Sequence, residues 1–98
     1  MLLLPETVTL REAQDTLRML SQALQREGGD TLTVDASPLR DFDSAALAVL
    51  LECRRLAHAW GKHFAIHGAP AKLTDLAKLY GVDELLALSP HEPPAAQV

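Results

Sequence analysis

The polar residues whose types and spacing could support chemistry are concentrated in one short stretch. Asp35 and Ser37 end an apolar run, and Asp41, Asp43 and Ser44 precede a long segment rich in alanine and leucine. Asp43-Ser44 stands at a predicted helix start, where unpaired backbone N–H groups can bond to a carboxylate or hydroxyl oxygen. One interpretation is therefore turn and cap chemistry. The other is a docking or phosphorylation site, in which a phosphate on Ser44 gains from helix-start amides but crowds Asp43 with like charge.

The remaining reactive side chains do not form a catalytic or metal-binding pattern. His63 and His67 on one predicted strand, at about 3.3 Å per residue, lie roughly 13 Å apart, which is too far to share a metal ion. Cys53 lies inside a predicted helix with no base nearby in the sequence, which favours a buried apolar role. The motifs G-x-x-x-x-G-K-[ST], G-x-G-x-x-G and G-x-S-x-G are absent. The sequence thus predicts no enzyme activity, no cofactor and no metal.

A strand and a helix position the polar stretch. Thr31 to Asp35 is short and contains the β-branched residues typical of a strand. The helix is predicted to run from Ser44 to about Trp60. Small residues at a helix start let it approach another backbone or leave it open to a docking surface, and this first turn contains Ala45, Ala46 and Ala48.

Two elements are predicted before this stretch. Leu2 to Leu4 reads as a short buried strand that ends before a proline. Thr9 and Glu12 have the spacing of a capping box, in which the hydroxyl bonds a helix-start amide and the carboxylate reaches back to the Thr amide. An apolar stripe that begins at Leu10 then predicts a helix over about 10–26.

After the long helix, the pattern predicts a strand over 62–67 that Gly68 ends, and a helix over 70–80. Residues 82–88 form a short helical or extended piece, and the proline-rich residues 89–98 are predicted to be an unstructured tail. Strands that alternate with helices pair in parallel, so we expect an α/β domain with its functional surface at the carboxyl ends of the strands. The domain is predicted to occupy residues 1–88.

Composition limits the classes of function. At 98 residues the chain has room for one domain, and its formal net charge of −4 argues against nucleic acid as a partner. No apolar run reaches the roughly 18 residues of a membrane span, and the leucines at the start are too few for a signal-peptide core. The single cysteine fits a reducing compartment. These features predict a cytoplasmic location.

The polar stretch also resembles the central motif of STAS domains, the fold of anti-sigma-factor antagonists, written D-x-S-(x5)-D-[ST]-x-G-L. Asp35 and Ser37 match its first part, and Asp43, Ser44 and Leu47 match its second part. The segment L-A-K-L-Y-G-V over 76–82 is similar, more narrowly, to MlaB-type STAS subunits of MCE-type phospholipid transporters. The order of elements agrees over residues 2–88.

This resemblance implies a small mixed or parallel sheet with helices packed mainly on one face. It implies a non-catalytic subunit that binds and supports the cytoplasmic MlaF-like ATPase of an ABC transporter, which maintains outer-membrane lipid asymmetry. The domain would then associate with the inner membrane only through its partner. The residues implied at the partner site are Ser44, Asp43, Ala45, Ala46, Ser37, Asp35 and Asp41.

Two departures from the STAS pattern bear on function. Ala46 stands where the family has glycine, and its Cβ alters the approach of a kinase or partner. Only one strand is evident before the first helix, where the family has two. The alternative is an anti-sigma factor antagonist regulated by phosphorylation of Ser44. Genes for a transporter permease and ATPase nearby would favour the first function, and genes for a sigma factor and its kinase the second.

Overall fold

The structure is a computed structural model that describes residues 2–86 and, as backbone only, residues 88–90. The described elements alternate largely as the sequence predicts. In chain order they are β1 (Leu2–Leu3), β2 (Thr7–Val8), α1 (Ala13–Arg26), β3 (Thr31–Asp35), β4 (Asp41–Phe42), α2 (Ser44–Ala59), β5 (His63–Ala69), α3 (Ala71–Leu79), α4 (Asp83–Leu86) and β6 (Leu88–Pro90).

The main sheet has four strands in the order β1-β3-β5-β6, and every neighbouring pair is parallel. The predicted parallel α/β class is therefore confirmed. Strands β3 and β5 form the centre, with Leu32 opposite Phe64 and Val34 opposite Ile66. The pairing of β5 with β6 is irregular between Ile66 and Ala69, next to the sheet edge where the polar stretch begins.

Helices cover one face of this sheet. Leu32, Val34 and Ile66 are buried on that face, whereas Thr31 and His63 on the opposite face are exposed. Because strand side chains alternate between the two faces, this difference assigns the core to one face. The same core contains residues from α1 and α2, namely Leu20, Leu24, Leu50, Cys53 and Ala57.

A second sheet, which the sequence did not predict, consists of the parallel pair β2 and β4. Thr7 lies opposite Asp41, and Val8 lies opposite Phe42. This pair supplies a second strand before α1, although each strand has only two residues. The prediction for the first strand is only partly right, since Leu3 is 63 % exposed on the open face of the main sheet.

The helix boundaries agree with prediction for α2 and differ for α1. Helix α1 begins at Ala13, so Leu10 lies before the helix and its side chain is exposed. The Glu12 carboxylate accepts hydrogen bonds from the Thr9 N–H at 3.0 Å and from the Thr9 hydroxyl at 2.5 Å. One half of the predicted capping box therefore forms, but the Thr9 hydroxyl donates to Glu12 and does not cap the helix. These bonds lower the pKa of Glu12, the hydroxyl bond having the largest effect.

Later elements show smaller differences. Strand β5 continues through Gly68 to Ala69, beyond its predicted end. Tyr80, the last residue of the predicted third helix, lies just beyond α3, and its side chain is exposed. Ser89 and Pro90 belong to β6, although the sequence placed them in the tail, and residues 91–98 lie outside the described part of the chain. None of the described helices has the length and apolarity needed to cross a membrane.

Candidate functional site

The candidate site is the start of α2, where Asp43 is the cap. Its extended backbone (φ −131°, ψ −164°) lets the side chain turn back over the first helical turn. Asp43 Oδ1 accepts the N–H of Ala45 at 2.8 Å, which satisfies one of the amides that have no partner inside a helix. Asp43 Oδ2 accepts the N–H of Leu10 at 3.3 Å. One carboxylate therefore fixes the helix start and also ties it to the turn before α1.

Ser44 is the first residue of α2, and its side chain is exposed. Within the described part of the chain, the Ser44 hydroxyl has no hydrogen-bond partner, because Asp43 provides the cap. A hydroxyl held at a fixed helix start and left unbonded is available to a second molecule. From the sequence, either Asp43 or Ser44 could cap the helix. In the structure Asp43 is the cap, and the Ser44 hydroxyl is accessible.

The alanines after Ser44 do not share one environment. Ala45 is half-buried and Ala48 is exposed. Ala46 is 1 % exposed and belongs to the core. The Cβ that this chain carries at the family's glycine position therefore points inward. The methyl group of Ala46 packs inside the domain. This argues against the expectation that the Ala46 side chain alters how a partner approaches.

Asp35 and Ser37 form a separate turn at the carboxyl end of β3. Asp35 Oδ1 accepts the N–H of Ser37 at 2.9 Å, and the N–H of Ala36 donates to the carbonyl of His67 at 2.8 Å. These are the turn contacts that the sequence offered as one interpretation. Ser37 is exposed, whereas the Asp35 carboxylate is committed to its own turn.

Asp41 lies between these two groups, in β4. Its N–H donates to the carbonyl of Glu6 at 3.0 Å, and its side chain is exposed. Asp41 and Phe42 line a groove of about 630 Å³ whose other wall is α3, including Leu76 and Leu79. Ser37 lines an adjoining depression of similar volume, and the two hollows share Arg40 and Asp75. Ser37 and Asp41 thus lie along a groove beside α3, whereas Asp35, Asp43 and Ser44 do not line it.

Leu10 and Leu79 are exposed, although the sequence did not predict it. Leu10 is 79 % exposed, and its own N–H is bonded to Asp43 beside Ser44. Leu79 is 78 % exposed and lines the groove together with Thr9. Exposed apolar side chains mark an interaction surface where they form a contiguous patch. The sequence signal for Leu79 is its spacing, because it lies off the apolar stripe that Leu73, Leu76 and Ala77 form in α3.

Reactive groups elsewhere in the described residues do not assemble into a reaction centre. Burial and the nearby charge of Glu52 raise the pKa of the Cys53 thiol to about 12, so it stays protonated at neutral pH. In the part of the chain that the structure describes, no three His, Cys, Asp or Glu side chains are grouped closely enough to hold a metal ion.

The chain matches a known protein family. The family described as Mlab, STAS domain matches residues 1–88 of the 98. Among curated proteins, no sequence matches the chain significantly. The match extends from β1 to the first residue of β6 and includes the capped start of α2 and the residues that line the groove along α3. The chain therefore belongs to the MlaB-type STAS domain family.

Proposed function

We propose that this protein is a non-catalytic subunit that docks on the cytoplasmic ATPase of an ABC-type phospholipid transport system. In that role it supports the assembly and activity of an MlaF-like ATPase, whose transporter maintains the lipid asymmetry of the outer membrane. Membership of the MlaB-type STAS family supports the class of partner. The protein would reside in the cytoplasm and reach the inner membrane only through that partner.

One observation carries the proposal, namely the exposed and unbonded Ser44 at a fixed helix start. Asp43 holds the first turn of α2, so the backbone that carries Ser44 is fixed in place. Leu10 is bonded through its N–H to Asp43, and Leu79 lines the groove together with Asp41 and Phe42, so both exposed leucines belong to the elements around the polar stretch. Protein–protein interfaces combine a more apolar buried centre with a polar rim.

A non-catalytic role agrees with the state of the polar groups. Asp35 and Asp43 accept hydrogen bonds from backbone amides, which is a structural use of a carboxylate. Cys53 is buried and protonated. The groove along α3 and the surface near Ser44 can contact a partner without contributing a reacting group.

The alternative function, an anti-sigma factor antagonist, uses the same Ser44 as a phosphate acceptor. Its accessible hydroxyl favours that function as well. The Asp43 cap does not separate the two functions, because the motif of anti-sigma-factor antagonists has an aspartate at the same place. The family match, which is to MlaB-type STAS domains, supports the transporter role. We therefore favour the transporter role.

Co-purification tests the proposed function. Replacing Ser44 by Lys puts a long cation at the centre of the proposed contact, and we expect the tagged protein to retain less of its cognate ATPase. Ala59→Lys is a matched control, since it adds the same charge to an exposed position at the other end of α2. Equal recovery of the ATPase with both variants and the unmodified protein would contradict the proposal.

A further inference from the structure

Gly68 is buried in β5 and has a left-handed backbone (φ +69°), within the irregular stretch between Ile66 and Ala69. Glycine adopts this conformation at little steric cost, whereas other residues are strained there. A Cβ at this position would lie 3.0 Å from the Ser37 Cβ and 3.1 Å from Asp35 Oδ1. The turn at Asp35 and Ser37 therefore occupies the space that a side chain at position 68 would need.

Strand β5 holds this turn at two consecutive residues. The carbonyl of His67 accepts the N–H of Ala36 at 2.8 Å, and Gly68 packs against Ser37 directly. The turn is also closed internally by the bond from the Ser37 N–H to Asp35 Oδ1 at 2.9 Å. An added methyl group at Gly68 would push the turn away from β5, and the hydrogen bond from Ala36 to His67 resists that movement.

The chain between this turn and α2 has little slack. Leu39 is buried, and its N–H donates to the carbonyl of Ala36 at 3.0 Å. The N–H groups of Arg40 and Asp41 both donate to the carbonyl of Glu6, at 2.8 Å and 3.0 Å. Two residues later, Asp43 caps the helix. These hydrogen bonds leave residues 39–43 little freedom to rearrange one by one. A displacement at Ser37 is therefore expected to shift the segment as a unit and to reach the helix start.

We propose that Gly68 is a positioning residue, which sets the place of the 37–43 segment and thereby the orientation of Asp43 and Ser44. Gly68 lines the depression that contains Ser37, but it is buried and has no side chain to offer a partner. It acts through the turn, and the inference that partner affinity depends on it rests on the proposed function. The effect on the position of the helix start does not depend on that function.

The test compares Gly68→Ala with Gly61→Ala. Both glycines have a left-handed backbone, with φ +69° and +73°, but a Cβ at Gly61 would meet nothing within 4 Å. The two variants therefore share the conformational strain and differ in the contact with the turn. We expect the purified cognate ATPase to bind Gly68→Ala about tenfold more weakly, and Gly61→Ala within about twofold of the unmodified protein. The backbone amide resonances of Asp43 and Ser44 should shift in Gly68→Ala and stay in place in Gly61→Ala.

A second substitution separates the contact from backbone strain. Ser37→Gly removes the atom that lies nearest the new methyl group, at 3.0 Å, and leaves Asp35 Oδ1 at 3.1 Å, which is the end of a side chain and can move aside. We expect the double variant Gly68→Ala, Ser37→Gly to bind within about twofold of Ser37→Gly alone. This comparison also applies if Gly68→Ala alone does not fold, because the double variant has the relieved contact.

The outcomes distinguish this inference from the proposed function. Unmoved resonances of Asp43 and Ser44 in Gly68→Ala, or a double variant that binds about tenfold more weakly than Ser37→Gly alone, would overturn the positioning role. Shifted resonances together with normal ATPase binding by Ser44→Lys would uphold the positioning of the helix start and refute the proposed docking function.

Discussion

Replacing Asp43 by Ala removes the group that joins the start of α2 to the turn before α1. Its carboxylate accepts the Ala45 N–H at 2.8 Å and the Leu10 N–H at 3.3 Å. Asp43 is exposed, so its replacement leaves no cavity and the lost bonds account for the change in stability. Loss of an Asp cap costs about 1 kcal/mol. The longer second bond at the surface contributes roughly 0.5 kcal/mol.

We therefore expect Asp43→Ala to lower the free energy of unfolding by about 1.5 kcal/mol. For a domain of this size that corresponds to a fall in Tm of roughly 6–12 °C. Thermal and urea unfolding followed by circular dichroism measure both quantities. Asp43→Asn keeps a side-chain oxygen acceptor and should recover most of the loss.

Asp41→Ala is the matched control, because it removes a neighbouring exposed carboxylate that does not cap a helix. Its Tm should stay close to that of the unmodified protein. If Asp43→Ala were as stable as the unmodified protein, or if Asp41→Ala lost as much stability, the cap would not fix the helix start. The fixed position assigned to the Ser44 backbone would then lack its structural cause.

Two further predictions concern titratable groups away from Ser44. Hydrogen bonds from Thr9 hold the pKa of Glu12 below its ordinary value of 4.5. The resulting stability is present above that value and is lost as the pH falls through the lowered pKa of the folded protein. The Tm of the unmodified protein should thus fall more steeply under acid than that of Glu12→Gln, and parallel pH profiles would contradict this assignment. Burial, with a smaller contribution from Glu52, raises the pKa of Cys53 to about 12, so a thiol reagent at mildly alkaline pH should label Cys53 only after unfolding. Equal labelling rates in the folded and unfolded protein would show that this thiol is not buried.

The elements that the sequence predicts best are those whose signals are local. Helix α2 has an Asp-Ser start and a glycine after its end, and β3 is a short β-branched run. The predicted start of α1 was wrong because residues 9–12 form a separate turn, in which the Glu12 N–H donates to the Thr9 carbonyl at 3.0 Å and the Glu12 carboxylate bonds back to Thr9. The Leu10 N–H bonds to Asp43, 33 residues further along the chain, which is a contact that local sequence does not show.

The candidate site shows the same division. Asp43 and Ser44 are adjacent, so their roles as cap and exposed hydroxyl follow from residue type and position. The apolar surface and the groove depend on α3, which comes from a distant part of the sequence. Strands β2 and β4 are too short for a periodic pattern and exist only as a pair. The burial of Ala46 depends on which face of α2 meets the sheet near its first turn.

The proposed function requires that the surface around Ser44 docks on the transporter ATPase. The most direct test is the dissociation constant of the purified ATPase with the unmodified protein, Ser44→Lys and Ala59→Lys, after thermal unfolding has shown that both variants are folded. Disruption of a central interface position costs about 2 kcal/mol or more, so the account predicts at least about a thirtyfold rise for Ser44→Lys. Ala59→Lys should bind as the unmodified protein does. Equal dissociation constants for all three proteins would show that the ATPase does not dock at this surface.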